Sequence, residues 1–347
     1  MTVDQYRDWY YKLHDKYEEK AFELIKRGFK KAIKKLDKLD SEVTLKSDIR
    51  KAITYDDVFN TIASVHLVIG TAQGKRVLKG IEENTLNIKA NPFFNEVFAK
   101  ALIDFLELLG GENIETIRKT LIDTVLQYII DRIAGGNKTI SETSRELYRD
   151  FGEETGLYKW QMMRISRTET ASASNYASWK AMESQRLIVD KVWISSHDHR
   201  TRDGEQKNEF DHLAMDGMVL PKDRKFKVPN ENGTIDEIMY PVDPTGEASN
   251  IINCRCTIAP RPRRDADGRL IFKKGTEVKA GFDPKQPRNE DGEWSSGGLG
   301  INAFEDSIKG NDFETVRVYN KDGEVVLTQE GNSTDVTIKD TEKVLSV

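Results

Sequence analysis

Cysteine occurs at two positions in the 347 residues, Cys254 and Cys256, within Asn253-Cys254-Arg255-Cys256. Three of the five histidines, His197, His199 and His212, lie shortly before them. One imidazole and two thiolates are three of the four ligands of a structural zinc site. His197, His199, Asp198 and Asp211 are the candidates for the fourth, so Cys254, Cys256, His212 and His199 form the expected metal set. C-x-C is less diagnostic than C-x-x-C. Buried thiols packing as small apolar side chains are therefore an equal alternative. A disulfide between positions i and i+2 would be strained. Free or metal-bound thiols in a reducing compartment are expected instead.

Two further segments carry functional side chains. Trp193-Ile194-Ser195-Ser196-His197-Asp198-His199-Arg200-Thr201-Arg202 takes a strand into a loop with two histidines, an aspartate and two arginines. It reads as a polar loop in which Asp198 and Arg202 pair with neighbours, or as the edge of a metal-dependent hydrolase or nuclease site. No second acid/base pair at readable spacing accompanies it, which counts against catalysis. Ile165-Ser166-Arg167-Thr168-Glu169-Thr170 lies within a helix. Arg167 and Glu169 are two apart and cannot face each other, so each is expected to pair elsewhere, on the β-rich segment that follows.

The elements that would position these groups follow from periodicity. Tyr6, Trp9, Tyr10, Leu13, Tyr17, Leu24 and Ile33 recur at helical spacing. Further helices are predicted over 56–72, 93–109 and 114–134, the last two stopping at glycine pairs. Thr139-Ile140-Ser141-Glu142 reads as a capping box opening another, and a sixth covers 158–184. Texture changes at Leu187, where Ile188 to Ile194 alternates like a strand, and residues 198–262 are rich in loops. Proline, glycine and charge then mark a linker. Val316 and Val318 against Val325 and Leu327, around Asn320-Lys321-Asp322-Gly323, predict a hairpin.

Composition narrows the class. Charged residues are 32% and hydrophobic ones 37%, with net charge −5, so the chain has no global basic signature of a nucleic-acid coat. Lys26 to Lys38, interleaved with Phe29, Ile33 and Leu36, reads as the solvated face of an amphipathic helix. Arg261, Arg263 and Arg264 are exposed linker residues that could touch nucleic acid. No apolar run is long enough to span a membrane, and Met1 to Glu19 lacks a signal-peptide core.

These pieces together resemble a known family. Ile165 to Glu169, Trp193 with Asp198-His199-Arg200-Thr201-Arg202, His212 to Gly217, Tyr240-Pro241-Val242-Asp243-Pro244 and Asn253 to Cys256 follow the order of the phage Mu F-like domain of minor head proteins. Gly204 to Phe210 lengthens the interval before His212 relative to that pattern. The resemblance implies an α+β fold. A helical region (1–138) would precede a small, loop-rich Mu F-like module (139–262), a flexible linker (263–300) and a short β-rich tail (301–347). It implies a head-morphogenesis protein of a phage or prophage, without catalysis and with at most one structural zinc. Its partners would be the portal and other head or scaffold proteins, and DNA where packaging or ejection involves it. Its location would be the virion and, during assembly, the host cytoplasm. The competing expectation is an enzyme, a metal-dependent hydrolase or nuclease at His197, Asp198, His199 and His212, or a toxin carried by the virion.

Overall fold

A computed structural model describes residues 3–38, 44–85, 101, 104–106, 108, 109, 111–135, 138–152, 158–198, 201, 202 and 211–274, together with strands at 316–319, 325–329 and 336–338. The architecture is α+β. Helix α1 (Val3–Lys34) buries Tyr6, Tyr10, Leu13, Tyr17, Leu24, Phe29 and Ile33 along one stripe, as their spacing requires. It closes in a 3-10 turn over Lys35–Lys38. Helix α2 (Leu45–Ala52) was not legible in the sequence, because only Leu45 and Ile49 anchor it.

Helix α3 (Tyr55–Thr85) runs well past the Ala72 expected from sequence. The Thr54 hydroxyl accepts from Asp57 N at 3.2 Å and Asp57 Oδ2 accepts from Thr54 N at 3.0 Å, which closes its first turn. From Thr61 to Gly74 it is buried on every side, the mark of a core helix. Helix α4 (Glu112–Ala134) starts at Gly111 and stops at Gly135. Helix α5 (Ile140–Asp150) opens with the expected capping box between Thr139 and Glu142. Of the helix expected over 93–109, the described residues from Ala101 onward are helical, and Ala101, Phe105, Leu106 and Leu109 are buried.

Helix α6 (Lys159–Ser184) lies against α1, α3 and the sheet. Its buried run Ala171 to Ser178 has small side chains except at Asn175 and Tyr176, which lets neighbouring backbones come close. A Cβ on Gly70 of α3 would sit 3.6 Å from the Ala173 carbonyl oxygen. Gly28 of α1 is required where α1 crosses α3, since a Cβ there would overlap Thr61.

The sheet is antiparallel in the order β2 (Val219–Pro221), β1 (Val189–Ile194), β5 (Thr257–Pro262), with Trp193 opposite Ile258. A hairpin of β3 (Phe226–Pro229) and β4 (Ile235–Ile238) packs beside it, and a one-turn helix α7 (Ala248–Ile251) precedes the cysteines. One hydrophobic cluster runs from Leu13 through α3 and α6 to Ile258, so the core crosses residue 139 without interruption. Residues 263–274, assigned to the linker from sequence, bond back to the module. Arg263 N donates to Ile188 O, Ile188 N to Ile271 O and Lys273 N to Arg186 O, each at 2.9 Å. The expected flexible stretch from 275 to 300 lies outside the described residues. In the tail, β6 (Val316–Tyr319), β7 (Val325–Gln329) and β8 (Val336–Ile338) form an antiparallel sheet, and the turn at 320–323 lies outside the described residues. Among the described residues no helix is long and apolar enough to cross a membrane.

Lys191 on β1 is fully buried. Its amine donates to Met239 O at 2.6 Å and lies 4.9 Å from the centre of the Phe226 ring, and no carboxylate among the described residues forms an ion pair with it. Burial lowers its pKa to about 8. The unfolded chain therefore binds more protons than the folded one between about pH 8 and the usual lysine value, and stability rises with pH across that window. Burial raises Tyr10 to about 12, so tyrosine ionisation in the unfolded chain opposes the gain above about pH 10. Lys191→Met is expected to raise stability by about 1–2 kcal/mol at pH 7, an advantage that shrinks by pH 10. Urea melts of both proteins at the two pH values check this, and a pH-independent difference would exclude a charged amine as the cause.

Candidate metal centre

Strand β1 ends at Ile194, and the described segment from Asp211 to Gly217 lies back against it, where Gly217 N donates to Trp193 O at 2.9 Å. This places the His212 ring edge-on to Trp193, at 5.6 Å and 82°. On the other side, Asn253 turns the chain in a left-handed conformation, φ 61°, which asparagine tolerates better than most residues. Cys254 and Cys256 then enter an extended segment in which residues two apart share a face. Asn175 of α6 fixes that segment. Its Nδ2 donates to Pro241 O at 3.0 Å and Cys256 O at 2.9 Å, while its Oδ1 accepts from Thr257 Oγ1 at 2.9 Å and Ile258 N at 3.1 Å.

His212, Cys254 and Cys256 meet in the interior, their ligand atoms within 4.8 Å of one another. His212 Nδ1 is 3.4 Å from Cys254 Sγ and 3.8 Å from Cys256 Sγ. A tetrahedral zinc with ordinary bond lengths sets sulfur and nitrogen ligands about 3.5 Å apart, so the trio fits. The tautomer fits too. His212 Nε2 is 2.9 Å from Asn250 Oδ1, and Asn250 Nδ2 donates to Asp236 Oδ2 at 2.9 Å and to Pro229 O at 3.1 Å. Both ends of the amide are thereby assigned, so the proton sits on Nε2 and bare Nδ1 faces the sulfurs. The thiols share one environment. A hydrogen bond from Cys256, with His212 alongside, holds Cys254 well below the usual thiol pKa, while the same hydrogen bond and burial push Cys256 up. A cation would favour the thiolate form of both.

The other expected ligands are engaged elsewhere. Asp198 bonds Thr201 and Arg255, His197 Nε2 lies 2.9 Å from Asp216 Oδ2, and Asp211 caps Ala214 N at 2.8 Å. His199 lies outside the described residues. The order Cys254, His212, Asn250 also matches a nucleophile, a base and an orienting amide. Yet these residues are 2%, 1% and 1% exposed, which leaves no approach for a substrate among the described residues.

Sequence reasoning missed the residue between the cysteines. Arg255, whose side chain is 9% exposed, reaches Asp198 Oδ2 at 2.9 Å, Glu18 Oε1 at 3.1 Å and Asp15 Oδ1 at 2.5 Å. Its carbonyl accepts from Tyr11 Oη at 2.8 Å. Burial favours a protonated Glu18, but His14, Arg255 and Arg167 outweigh it and hold that carboxyl below its ordinary pKa. Arg7 adds a second clamp, 2.6 Å from Asp216. Asp216 Oδ1 also accepts from Ser195 N at 2.7 Å. The signal available in sequence was the density of Tyr, Asp and Glu in the first turns of α1, but a single sequence does not say what that face meets.

Arg167 and Glu169 do not pair with the β-module as expected. Arg167 Nε lies 3.3 Å from Glu18 Oε2 on α1, and Glu169 Oε2 lies 2.7 Å from His66 Nε2 on α3. Helix α6 is wedged between α1 and α3, so positions two apart look at different neighbours. Thr168 between them does reach the module, accepting from Asn253 N at 3.0 Å. Arg202 donates to Ile252 O at 2.9 Å. Arg263 bonds both oxygens of Asp190 at 2.8 Å and Arg264 donates to Gly268 O at 2.7 Å, so neither is the free linker cation expected. Arg261 is exposed on β5.

No family model matches the chain, and no solved structure matches it. The chain is similar to an uncharacterized protein, YqbB of Bacillus subtilis (strain 168), with 28% identity over 95 residues. That stretch covers 27% of this chain and 28% of the relative, so the match spans little more than a quarter of either.

Substitutions at two positions test the site as built. Arg255→Ala leaves Glu18 and Asp198 with too few donors in a nearly closed space, and a loss of about 3 kcal/mol is expected in a denaturant melt. Arg255→Lys should restore less than half, since one ammonium cannot span the same acceptors. Asn250→Leu frees the His212 ring and should weaken zinc affinity about 10- to 100-fold in a chelator competition. Unchanged affinity would mean the imidazole is not a ligand.

Proposed function

We propose that this chain is a structural protein of a phage or prophage head, a minor head protein acting in head morphogenesis, and that His212, Cys254 and Cys256 hold one structural zinc. The observation that carries the reading is convergence. The segments that gave the resemblance are spread over about 90 residues of sequence, and all of them contribute to or border one small region. Thr168 touches Asn253, Asp198 holds Arg255, His212 faces Cys254, and Pro241 O shares Asn175 with Cys256. A module with three short strands and a hairpin has a thin core, and a metal adds the stability that such a core lacks.

The same geometry favours a structural role over an enzymatic one. The groups best able to do chemistry are sealed, and their polar partners are spent on one another. The long helices supply the surface for contacts with portal, scaffold or other head proteins. Arg261 is the residue left for contact with DNA.

Elemental analysis of the full chain tests the metal, and proteomics of purified heads tests the role. About one zinc per chain is expected, with a chelator lowering the melting temperature by several degrees. Cys254→Ser and Cys256→Ser should each lose the metal and the incorporation into heads. Heads that never contain the chain, or that take up both mutants normally, would overturn the assembly reading. A metal-free protein with an unchanged melt would reassign the thiols to packing.

A further inference from the structure

Helices α4 and α6 diverge beside the Val242 to Ile252 loop and leave a cavity of about 290 Å³. That is roughly twice the volume of an engineered apolar cavity of ~150 Å³ that takes up benzene, and it suits a ligand of about ten non-hydrogen atoms. The α6 wall presents Gln161, Ile165 and Glu169 to this space. Two observations there point to a ligand. Gln161 Oε1 is buried without a hydrogen-bond partner, a costly state unless something donates to it. Glu169 is 8% exposed. One of its oxygens is bound to His66, and the other is free to accept.

Both groups are acceptors. They lie eight residues apart on α6, a rise of about 12 Å. Ile165, Ile117 and Ile251 make much of the lining apolar, with the threonines Thr116, Thr120 and Thr168 set among them. Arg164 also lines the cavity, and its guanidinium is engaged 4.9 Å from the centre of the ring of exposed Trp160. The cavity thus asks for a molecule that donates at both ends and is aliphatic in the middle.

We infer that this cavity binds a linear aliphatic diamine or polyamine, one ammonium on Glu169, the alkyl chain along Ile165 and Ile117, and the second nitrogen donating to Gln161. A fully extended chain of about eight methylenes or their equivalent spans the required distance. The inference rests on α4, α6 and the segment from Val242 to Ile252, and stands apart from the head-protein reading.

1,8-Diaminooctane is the probe, titrated calorimetrically into the full-length protein. One saturable site per chain is expected, and it should persist in high salt, where exposed ion pairs are screened. Glu169→Gln should weaken binding at least about tenfold, the loss expected for one charge-assisted hydrogen bond. That variant also alters the contact with His66. Thr120→Trp on the opposite wall is therefore the second test. It leaves the His66 and Glu169 pair intact, fills the space, and should abolish binding while the protein melts normally. Octanediol, with donors but no charge, should bind at least tenfold more weakly. Three results would overturn the inference. They are no saturable heat, octanediol binding as tightly as diaminooctane, and diaminooctane affinity unchanged by Thr120→Trp, which would place the diamine on the acidic surface.

Discussion

A guanidinium nearly closed off from water must be met by acceptors on several sides, and Arg255 shows how much of this molecule is arranged to meet that need. Its acceptors come from two distant parts of the chain. Asp15 and Glu18 are on the first helix, and Asp198 is on the loop after β1. Removing any one element would leave a buried charge only partly compensated, which is far costlier than losing an exposed ion pair. Arg255 also lies between the two cysteines, so the demand that fixes the first helix fixes the thiols as well.

The first helix is consequently more than an extension in front of the module. Tyr6 and Tyr10 pack with Val192, Ile194 and Ala259 of the sheet. Tyr6 Oη donates to Ile258 O at 3.2 Å, and Tyr10 Oη lies 2.8 Å from Ser174 Oγ on α6. Together with Arg7 on Asp216, these contacts make α1 the outer wall of the sheet and of the cysteine segment. Three short strands bury little by themselves. Here they are stabilised by the first helix of the chain and by Asn175 from beneath.

The polar interior follows one rule, that a buried group keeps its place when its hydrogen bonds are complete. Asn175 uses both donors and its carbonyl oxygen. Asn250 is oriented by Asp236 and Pro229, and so orients His212. The exceptions are informative for the same reason. Lys191 has no ion-pairing carboxylate among the described residues and is held low by burial, and Gln161 Oε1 lacks a donor and borders the cavity between α4 and α6.

Much of this was legible in sequence where a local rule acts alone. The stripe of α1, the capping box at Thr139 and Glu142, the glycine stops around α4, the strand from Val189, and the gathering of thiols with one histidine all follow from periodicity, turn chemistry and ligand type. These properties belong to short stretches, and short stretches are what one sequence displays. Helix α2 escaped because two apolar residues make no periodic signal. The length of α3 escaped because a helix buried on all sides has no polar face to mark its course. The partners of Arg167, Glu169 and Arg255 could not be read at all. A side chain two positions from its neighbour on a wedged helix faces a different element, and which element lies there is set by how α1, α3 and α6 cross. Local chemistry in the sequence determined which residues were fit to be buried together. The tertiary structure alone decided which of them met, because long-range contacts depend on the crossing of helices, and no spacing along the chain encodes that.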